Sequence, residues 1–339
     1  VKRFAFVLFL LATPLPASAA DDLAVVDRWF AATARIARHV GAEGVAVRYA
    51  VVPGDPERGA LVIVTGRAES LEKYAETAYD LRDLGGMTYI YEHRGQGDSG
   101  RDLPDREKGH VADWRRYTDD LTRFIDEVVR PAAPARLVTL AHSMGGGVAL
   151  AAMIENRLKP DHLFVTSPLI RFNAAPFPDV AARWLAWGLW KGYQHERYAP
   201  ATGPWEAIPF DSGKNRLTGD RRRYDHALAL MERNPNLRIG GPTVGWVHQM
   251  FLMGDWIEAG QGAVATPVTV FVSEGDRVIL PEAAIRFCGG LPSCESIVFK
   301  RPGDGDAPRH ELLFERDAIR NQVLARVRGA FIPLTRSSR

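Results

Sequence analysis

Three residues far apart in the chain, Ser143, Asp276 and His310, have the types and the order that nucleophilic acyl-transfer chemistry requires. A serine hydroxyl is a weak nucleophile until a base takes its proton, and that base needs a carboxylate to orient it. Ser143 sits in Leu137-Val138-Thr139-Leu140-Ala141-His142-Ser143-Met144-Gly145-Gly146-Gly147, an apolar run, a serine between small residues and a glycine-rich helix start. This reads as strand, sharp turn, helix. Such a turn lifts the hydroxyl above the end of the strand, and the residues two before and two after it must be small for strand and helix to pack closely. Ala141 and Gly145 meet that demand. The same turn aims the amide of Met144 at any carbonyl the serine attacks. A plain structural turn, with the serine capping the following helix, is the competing reading.

Nine histidines are candidates for the base. In doubly wound sheets the reactive groups lie at the carboxyl ends of strands, so an acid should follow a late strand and the base a loop beyond it. Asp276 directly follows the strand-like run 268–272, and His310 lies in the loop after the strand that ends at Phe299. His142 adjoins the serine but points along the turn, which makes it a packing residue. His93, His110, His195, His226 and His248 read as surface or cap residues. His310-Glu311 is no zinc motif, since Phe314 stands where a second histidine would be needed.

The elements that must hold these residues alternate along the chain. Runs 45–52 and 60–64 read as strands separated by Pro53-Gly54-Asp55-Pro56, which suggests a hairpin leading the sheet. Leu71, Tyr74, Ala75, Ala78 and Leu81 fall on one helical face, and run 87–91 is a further strand. Gly95-Gln96-Gly97-Asp98-Ser99-Gly100 matches the dinucleotide fingerprint formally. The polar, proline-broken stretch after it cannot open the helix that a pyrophosphate needs. Trp114, Tyr117, Leu121, Phe124, Ile125 and Val128 form a second helical stripe that ends before Pro131. After strand 163–166 and Pro168 the alternation stops for roughly ninety residues, too long for an ordinary loop. It resumes at 268–272 and 297–299 and closes with a helix carrying Ile319, Val323 and Val327.

The predicted class is therefore α/β, a mostly parallel central sheet with helices on both faces. The core spans 21–167 and 267–339, and 168–266 forms an inserted helical cap. Within the cap Trp184, Trp187 and Trp190 recur at three-residue spacing, as packing or as an apolar wall for a substrate.

The 339 residues carry a net charge of +2, with a quarter of them charged, values of an ordinary globular protein that give no reason to expect nucleic acid. Lys2-Arg3, the apolar run 4–11 and the small residues Ala17-Ser18-Ala19-Ala20 have the layout of a secretory signal peptide over 1–20. The expected location is the periplasm or the exterior. Cys288 and Cys294, the only cysteines, could join in an oxidising compartment, for about 2 kcal/mol in the loop-entropy picture.

Thr65-Gly66-Arg67-Ala68-Glu69-Ser70 with Lys73-Tyr74, His93-Arg94-Gly95-Gln96-Gly97-Asp98-Ser99, the serine turn, Gly241-Pro242-Thr243, Glu274-Gly275-Asp276 and His310-Glu311 occur in that order. Together they resemble the bacterial lysophospholipase and monoacylglycerol lipase group of α/β-hydrolases, which carry an S33-like serine aminopeptidase domain. The resemblance implies nucleophile Ser143, acid Asp276, base His310 and an oxyanion hole from the amides of Arg67 and Met144, with no metal or cofactor. It implies a lipid or small-ester substrate, and leaves room for transient contact between cap and membrane surface. Ala141 departs from the group's usual first glycine, Thr65 and Arg67 from the lipase version of their loop, and Glu92 stands where Asp is common. The Thr65-Gly66-Arg67 form moves the expected substrate from monoacylglycerols toward lysophospholipids. Small esters, monoacylglycerols and N-terminal peptide bonds are the alternatives. A binding protein on the same scaffold would have no need of all three reactive residues.

Overall fold

The computed structural model describes residues 23–331 apart from 176, 193 and 304; the expected signal segment 1–20 lies outside the described residues. Eight strands form one sheet: β1 (Arg35–Val40), β2 (Ala46–Val52), β3 (Ala60–Val64), β4 (Met87–Tyr91), β5 (Leu137–His142), β6 (His162–Thr166), β7 (Val268–Ser273) and β8 (Cys294–Phe299). Their spatial order is β1-β2-β4-β3-β5-β6-β7-β8. All neighbours from β4 to β8 are parallel, while β2 runs antiparallel to β1 and β4.

Both faces of this sheet are covered, which is why its central strands read as unbroken apolar runs. Every residue of β3, β5 and β7 is buried. Alternate side chains then divide between two cores, as a period of two requires. Val62, Val64, Ala141, Val165, Val270 and Val272 pack with α3 (Arg115–Phe124), α4 (Met144–Ile154), α7 (Val244–Ala259) and α8 (Pro281–Gly289). Leu61, Ile63, Leu140, Phe164 and Phe271 pack with α1 (Leu23–Thr33), α2 (Ala75–Asp80) and α9 (Asp317–Gly329).

Two expectations are corrected here. The runs 45–52 and 60–64 are strands but not a hairpin, because β4 lies between them; β2 turns back instead onto β1, around a turn in which the Gly41 amide donates to the Val45 carbonyl. β3 is apolar throughout and takes a central lane, whereas β1 is an exposed edge strand with Arg35 and Arg38, so it carries no apolar alternation to announce it. The stretch 168–266 is also not uniform. Its last helix, α7, buries Trp246, Met250, Met253 and Ile257 in the same core as Val148 and Leu150 of α4. Among the described residues α5 (Asp179–Lys191), α6 (Arg221–Arg233) and the segment 192–220 between them contribute no side chain to either core.

Polar side chains tie α6 to the body, among them His226, which bonds Asp27 of α1 at 3.0 Å, and Arg223. Arg223 is buried, and its guanidinium bonds Glu76 through Nε at 2.7 Å and Nη2 at 2.8 Å, Asp317 at 2.6 Å and the Glu315 carbonyl at 2.9 Å. A disulfide joins Cys288 at the end of α8 to Cys294 at the start of β8, with Cα atoms 5.3 Å apart.

Candidate active site

β5 enters the sheet centre and α4 leaves it at once, so Ser143 must make the turn with φ 49° and ψ −116°, a region that side chains rarely occupy. Close packing enforces this. A Cβ on Gly145 would stand 2.3 Å from the Thr65 carbonyl oxygen, so no larger residue fits where α4 crosses the end of β3. The turn is fixed by the Ser143 amide donating to Thr166 at 3.0 Å and by the Leu169 and Gly147 amides donating to the Ser143 carbonyl.

Asp276 and His310 meet the serine from loops after β7 and β8. Asp276 Oδ2 accepts from His310 Nδ1 at 2.7 Å, which leaves Nε2 as an acceptor 2.9 Å from Ser143 Oγ. The other Asp276 oxygen accepts from the amides of Val278 at 2.8 Å and Ile279 at 3.1 Å. Burial pushes the Asp276 carboxyl up, but His310 and these amides outweigh it and hold it below the usual carboxylate range. Ser167 donates to the His310 carbonyl at 2.8 Å and Ser273 to that of Pro308, so the loop is pinned on both sides of the imidazole. Glu274, which follows the same strand as Asp276, points elsewhere and accepts from the Arg301 amide.

A second buried network lies behind the imidazole. Lys73 Nζ is 2.8 Å from Glu69 Oε1 and 2.6 Å from Glu311 Oε1. Glu69 Oε2 accepts from the Gly66 amide and from the Tyr74 hydroxyl, each at 2.5 Å. One lysine thus ties the loop after β3 to the residue next to His310. Burial opposes the charge on Glu69, yet Lys73, His142 and Tyr74 bring its pKa down to about 2; Glu311 is pushed up by burial and by Glu69. Glu69, His142 and Glu311 offer ligand atoms within 4.8 Å of one another, but Lys73 already supplies the cation between the two carboxylates. In the sequence Glu69, Lys73 and Glu311 stand within motifs that assign them no role, although the i,i+4 spacing of the first two is a signal for a pair.

The loop after β3 also presents Arg67. The amides on either side are occupied, Gly66 by Glu69 and Ala68 by Gln96 at 2.7 Å, whereas among the described residues those of Arg67 and Met144 have no acceptor. Met144 is the first residue of α4, where amides are unpaired by helix geometry. Two free amides therefore flank the serine turn, one on each element.

The glycine-rich loop 95–100 closes on a carboxylate of its own. Glu92 accepts from the Asp98 amide at 2.8 Å, the Ser99 hydroxyl at 3.1 Å and the Leu71 amide at 3.2 Å, and burial pushes it up to about 7. A Cβ on Gly97 would stand 2.2 Å from that carboxyl group, so this fingerprint glycine makes room for an internal carboxyl group rather than a pyrophosphate.

His142 bonds Thr166 Oγ1 at 2.9 Å, and burial lowers its pKa to about 4, in keeping with a packing role. His93 and His110 are not surface residues. His93 is fully buried with its ring 5.1 Å from Tyr91 and 5.4 Å from Tyr117, and desolvation brings it down to about 3; His110 is buried against Thr243. The cap tryptophans are corrected as well. Trp184 and Trp187 are 65% and 44% exposed and meet edge to face at 5.4 Å, so they do not form an inner wall. The buried face of α5 is taken by Ala186, and Trp190 stacks on His248 at 4.7 Å.

Residues 55–317 match the family model described as serine aminopeptidase, S33. The chain is 35% identical over 294 residues to lysophospholipase L2 of Escherichia coli (strain K12), covering 85% of this chain and 84% of that protein. It is 28% identical to the probable lysophospholipase L2 of Haemophilus influenzae, over 83% of this chain and 86% of that one. Among solved structures, a soluble variant of monoglyceride lipase from Saccharomyces cerevisiae superposes with a TM-score of 0.69 at 18% identity, over 88% of this chain and 95% of the other. A row of acid, imidazole and serine on an eight-stranded α/β scaffold agrees with these likenesses, and the chain belongs to the S33-type serine hydrolases of the α/β-hydrolase fold, in their lysophospholipase and monoacylglycerol lipase group.

Proposed function

We propose that the chain is an exported serine esterase that cleaves the acyl ester of a single-chain lipid, a lysophospholipid before others. The observation that carries this reading is the hydrogen-bonded row Asp276–His310–Ser143 beside two unpaired amides. Ser143 Oγ attacks the ester carbonyl while its proton passes to His310 Nε2, and Asp276 stabilises the imidazolium. The amides of Arg67 and Met144 receive the developing oxyanion. His310 returns the proton to the leaving alcohol, which departs as a glycerophosphodiester, and the fatty acyl group stays on Ser143. Water then repeats the sequence, releasing the fatty acid and restoring the serine. No step calls for a metal or cofactor.

The lysophospholipid choice is supported by the likeness to lysophospholipase L2. Monoacylglycerol is the second reading, favoured by the likeness to the yeast monoglyceride lipase. Export is supported by the pattern of residues 1–20 and by the Cys288–Cys294 bond. No helix among the described residues is long and apolar enough to cross a membrane. Contact with a membrane surface is supported by the exposed apolar side chains Phe177, Val180, Trp184 and Trp187 along and before α5.

Labelling of the purified protein by a fluorophosphonate, lost in Ser143→Ala, tests the mechanism. Lysophospholipids, monoacylglycerols, short esters and aminoacyl amides offered side by side test the substrate. An unlabelled wild type sinks the serine-enzyme reading, and a preference for aminoacyl amides replaces the lipid reading with a peptidase.

A further inference from the structure

Four hydrogen-bond donors around the Arg67 side chain have no partner. Arg67 Nε, the hydroxyls of Tyr117 and Tyr198 and the indole Nε1 of Trp246 are all buried atoms without a hydrogen bond. Tyr117 is fully buried and Trp246 nearly so. A buried donor left unsatisfied is costly, and a cluster of them around one cation is rarer still. Among the described residues the guanidinium makes one hydrogen bond, from Nη2 to the Gly240 carbonyl, and its Cζ lies 5.3 Å from the centre of the Trp246 ring.

Among the described residues no carboxylate pairs with Arg67, although Asp102 acts on Tyr117, and Asp105 and Glu107 act on Tyr198. The groups that act on Arg67 electrostatically are the hydroxyls of Tyr117 and Tyr198, and burial draws its pKa down to about 10, so it stays a cation at neutral pH. Trp246 favours the deprotonated form of Tyr117, which places its N–H near that oxygen, yet neither group completes a hydrogen bond. Lys108 Nζ stands 5.4 Å from the Tyr198 ring centre and also 3.9 Å from Asp105 Oδ2. His110 nearby is held neutral by burial and already bonds Thr243.

We propose that Arg67, Tyr117, Tyr198 and Trp246 form a seat for a phosphoryl group, which takes the phosphodiester of a lysophospholipid whose acyl carbonyl lies at Ser143. A planar guanidinium, two hydroxyls and an indole N–H supply donors from several directions, which suits a tetrahedral anion. The placement fits the molecule. With the backbone amide of Arg67 given to the oxyanion as proposed above, its guanidinium is at most one extended arginine side chain from the ester, a span that glycerol together with its acyl and phosphoryl ester oxygens can cover. This inference rests on the lysophospholipid reading and adds to it the residues that tell a lysophospholipid from a monoacylglycerol.

The test compares kcat/KM for palmitoyl lysophosphatidylcholine and palmitoylglycerol in the wild type, Arg67→Gln, Arg67→Lys and Tyr198→Phe. The ratio of the two should fall at least about tenfold in Arg67→Gln, mainly through KM, less in Arg67→Lys and a few-fold in Tyr198→Phe. Tyr198→Phe keeps the test open if Arg67→Gln fails to fold. A second arm measures calorimetric binding of glycerophosphocholine, and separately of inorganic phosphate, to Ser143→Ala with and without Arg67→Gln. Glycerophosphocholine binding that needs Arg67 supports the seat. Parallel losses on both substrates, or binding of inorganic phosphate alone, overturn it. If the wild type cleaves neither lipid the proposed function fails, and absence of Arg67-dependent glycerophosphocholine binding then overturns the seat on its own account.

Discussion

The two flanks of Ser143 differ in how completely their polar groups are matched. On the acid side both Asp276 oxygens are bonded, both imidazole nitrogens are bonded, and Lys73 sits between two carboxylates. On the Arg67 side the guanidinium bonds only the Gly240 carbonyl, and its Nε and three neutral donors have no hydrogen-bond partner among the described residues. A matched network fixes a geometry in advance, whereas an unmatched one has affinity left for something that arrives. The contrast teaches where the fold positions its own groups and where it leaves room for a ligand.

The largest break in that comparison comes from the acid. Asp276→Asn should lower kcat by about three to four orders of magnitude with little change in melting temperature, because the imidazole loses the partner that sets its tautomer. Glu274→Gln should cost little, and equal losses would show that the matched row is not the reactive one. Next is the lysine. Lys73→Met leaves two buried carboxylates uncompensated and should cost about 3–5 kcal/mol in denaturant unfolding. Adding Glu311→Gln should recover part of that loss; no recovery would mean that Lys73 acts through packing alone.

A smaller effect tests the tie between α6 and the body. Burial raises the Glu76 carboxyl, but the Arg223 hydrogen bonds and the nearby Arg320 hold it below its usual range. A depressed carboxyl stabilises the fold above its unfolded value, near 4.3, and loses that contribution as pH falls through the folded one. Glu76→Gln should therefore cost about 1–3 kcal/mol at pH 7 and converge on the wild type in acid. A cost that persists at low pH would point to shape rather than charge. The smallest effect is at the exposed end of the cap. Trp184→Ala should change stability by no more than about 0.5 kcal/mol while reducing co-sedimentation with phospholipid vesicles. Unchanged sedimentation would remove the membrane contact.

What the sequence made legible follows the same division. That Ser143, Asp276 and His310 meet was readable from order and strand position, because a turn between a buried strand and a glycine-rich helix is a local pattern. The central strands were readable because burial on both faces leaves an unbroken apolar run. β1 was not, since an edge strand with Arg35 and Arg38 carries little apolar signal. The outward setting of Trp184 and Trp187 was equally hidden, because helical spacing defines a face without saying which way the helix is turned. Tyr117, Tyr198 and Trp246 come together around Arg67 only through the tertiary fold. In the chain they are separated by dozens of residues, and each reads as ordinary core.

The backbone of Ser143 carries one more consequence. A side chain at φ 49° and ψ −116° is held there by its neighbours against its own preference, and glycine alone could adopt that conformation freely. Ser143→Gly should thus be inert toward substrate yet tougher than Ser143→Ala, by about 1 kcal/mol once the extra freedom of glycine in the unfolded chain is counted. The protein would then be most durable in a form that does nothing, and its working lifetime is shortened by the same backbone torsions that present its serine hydroxyl.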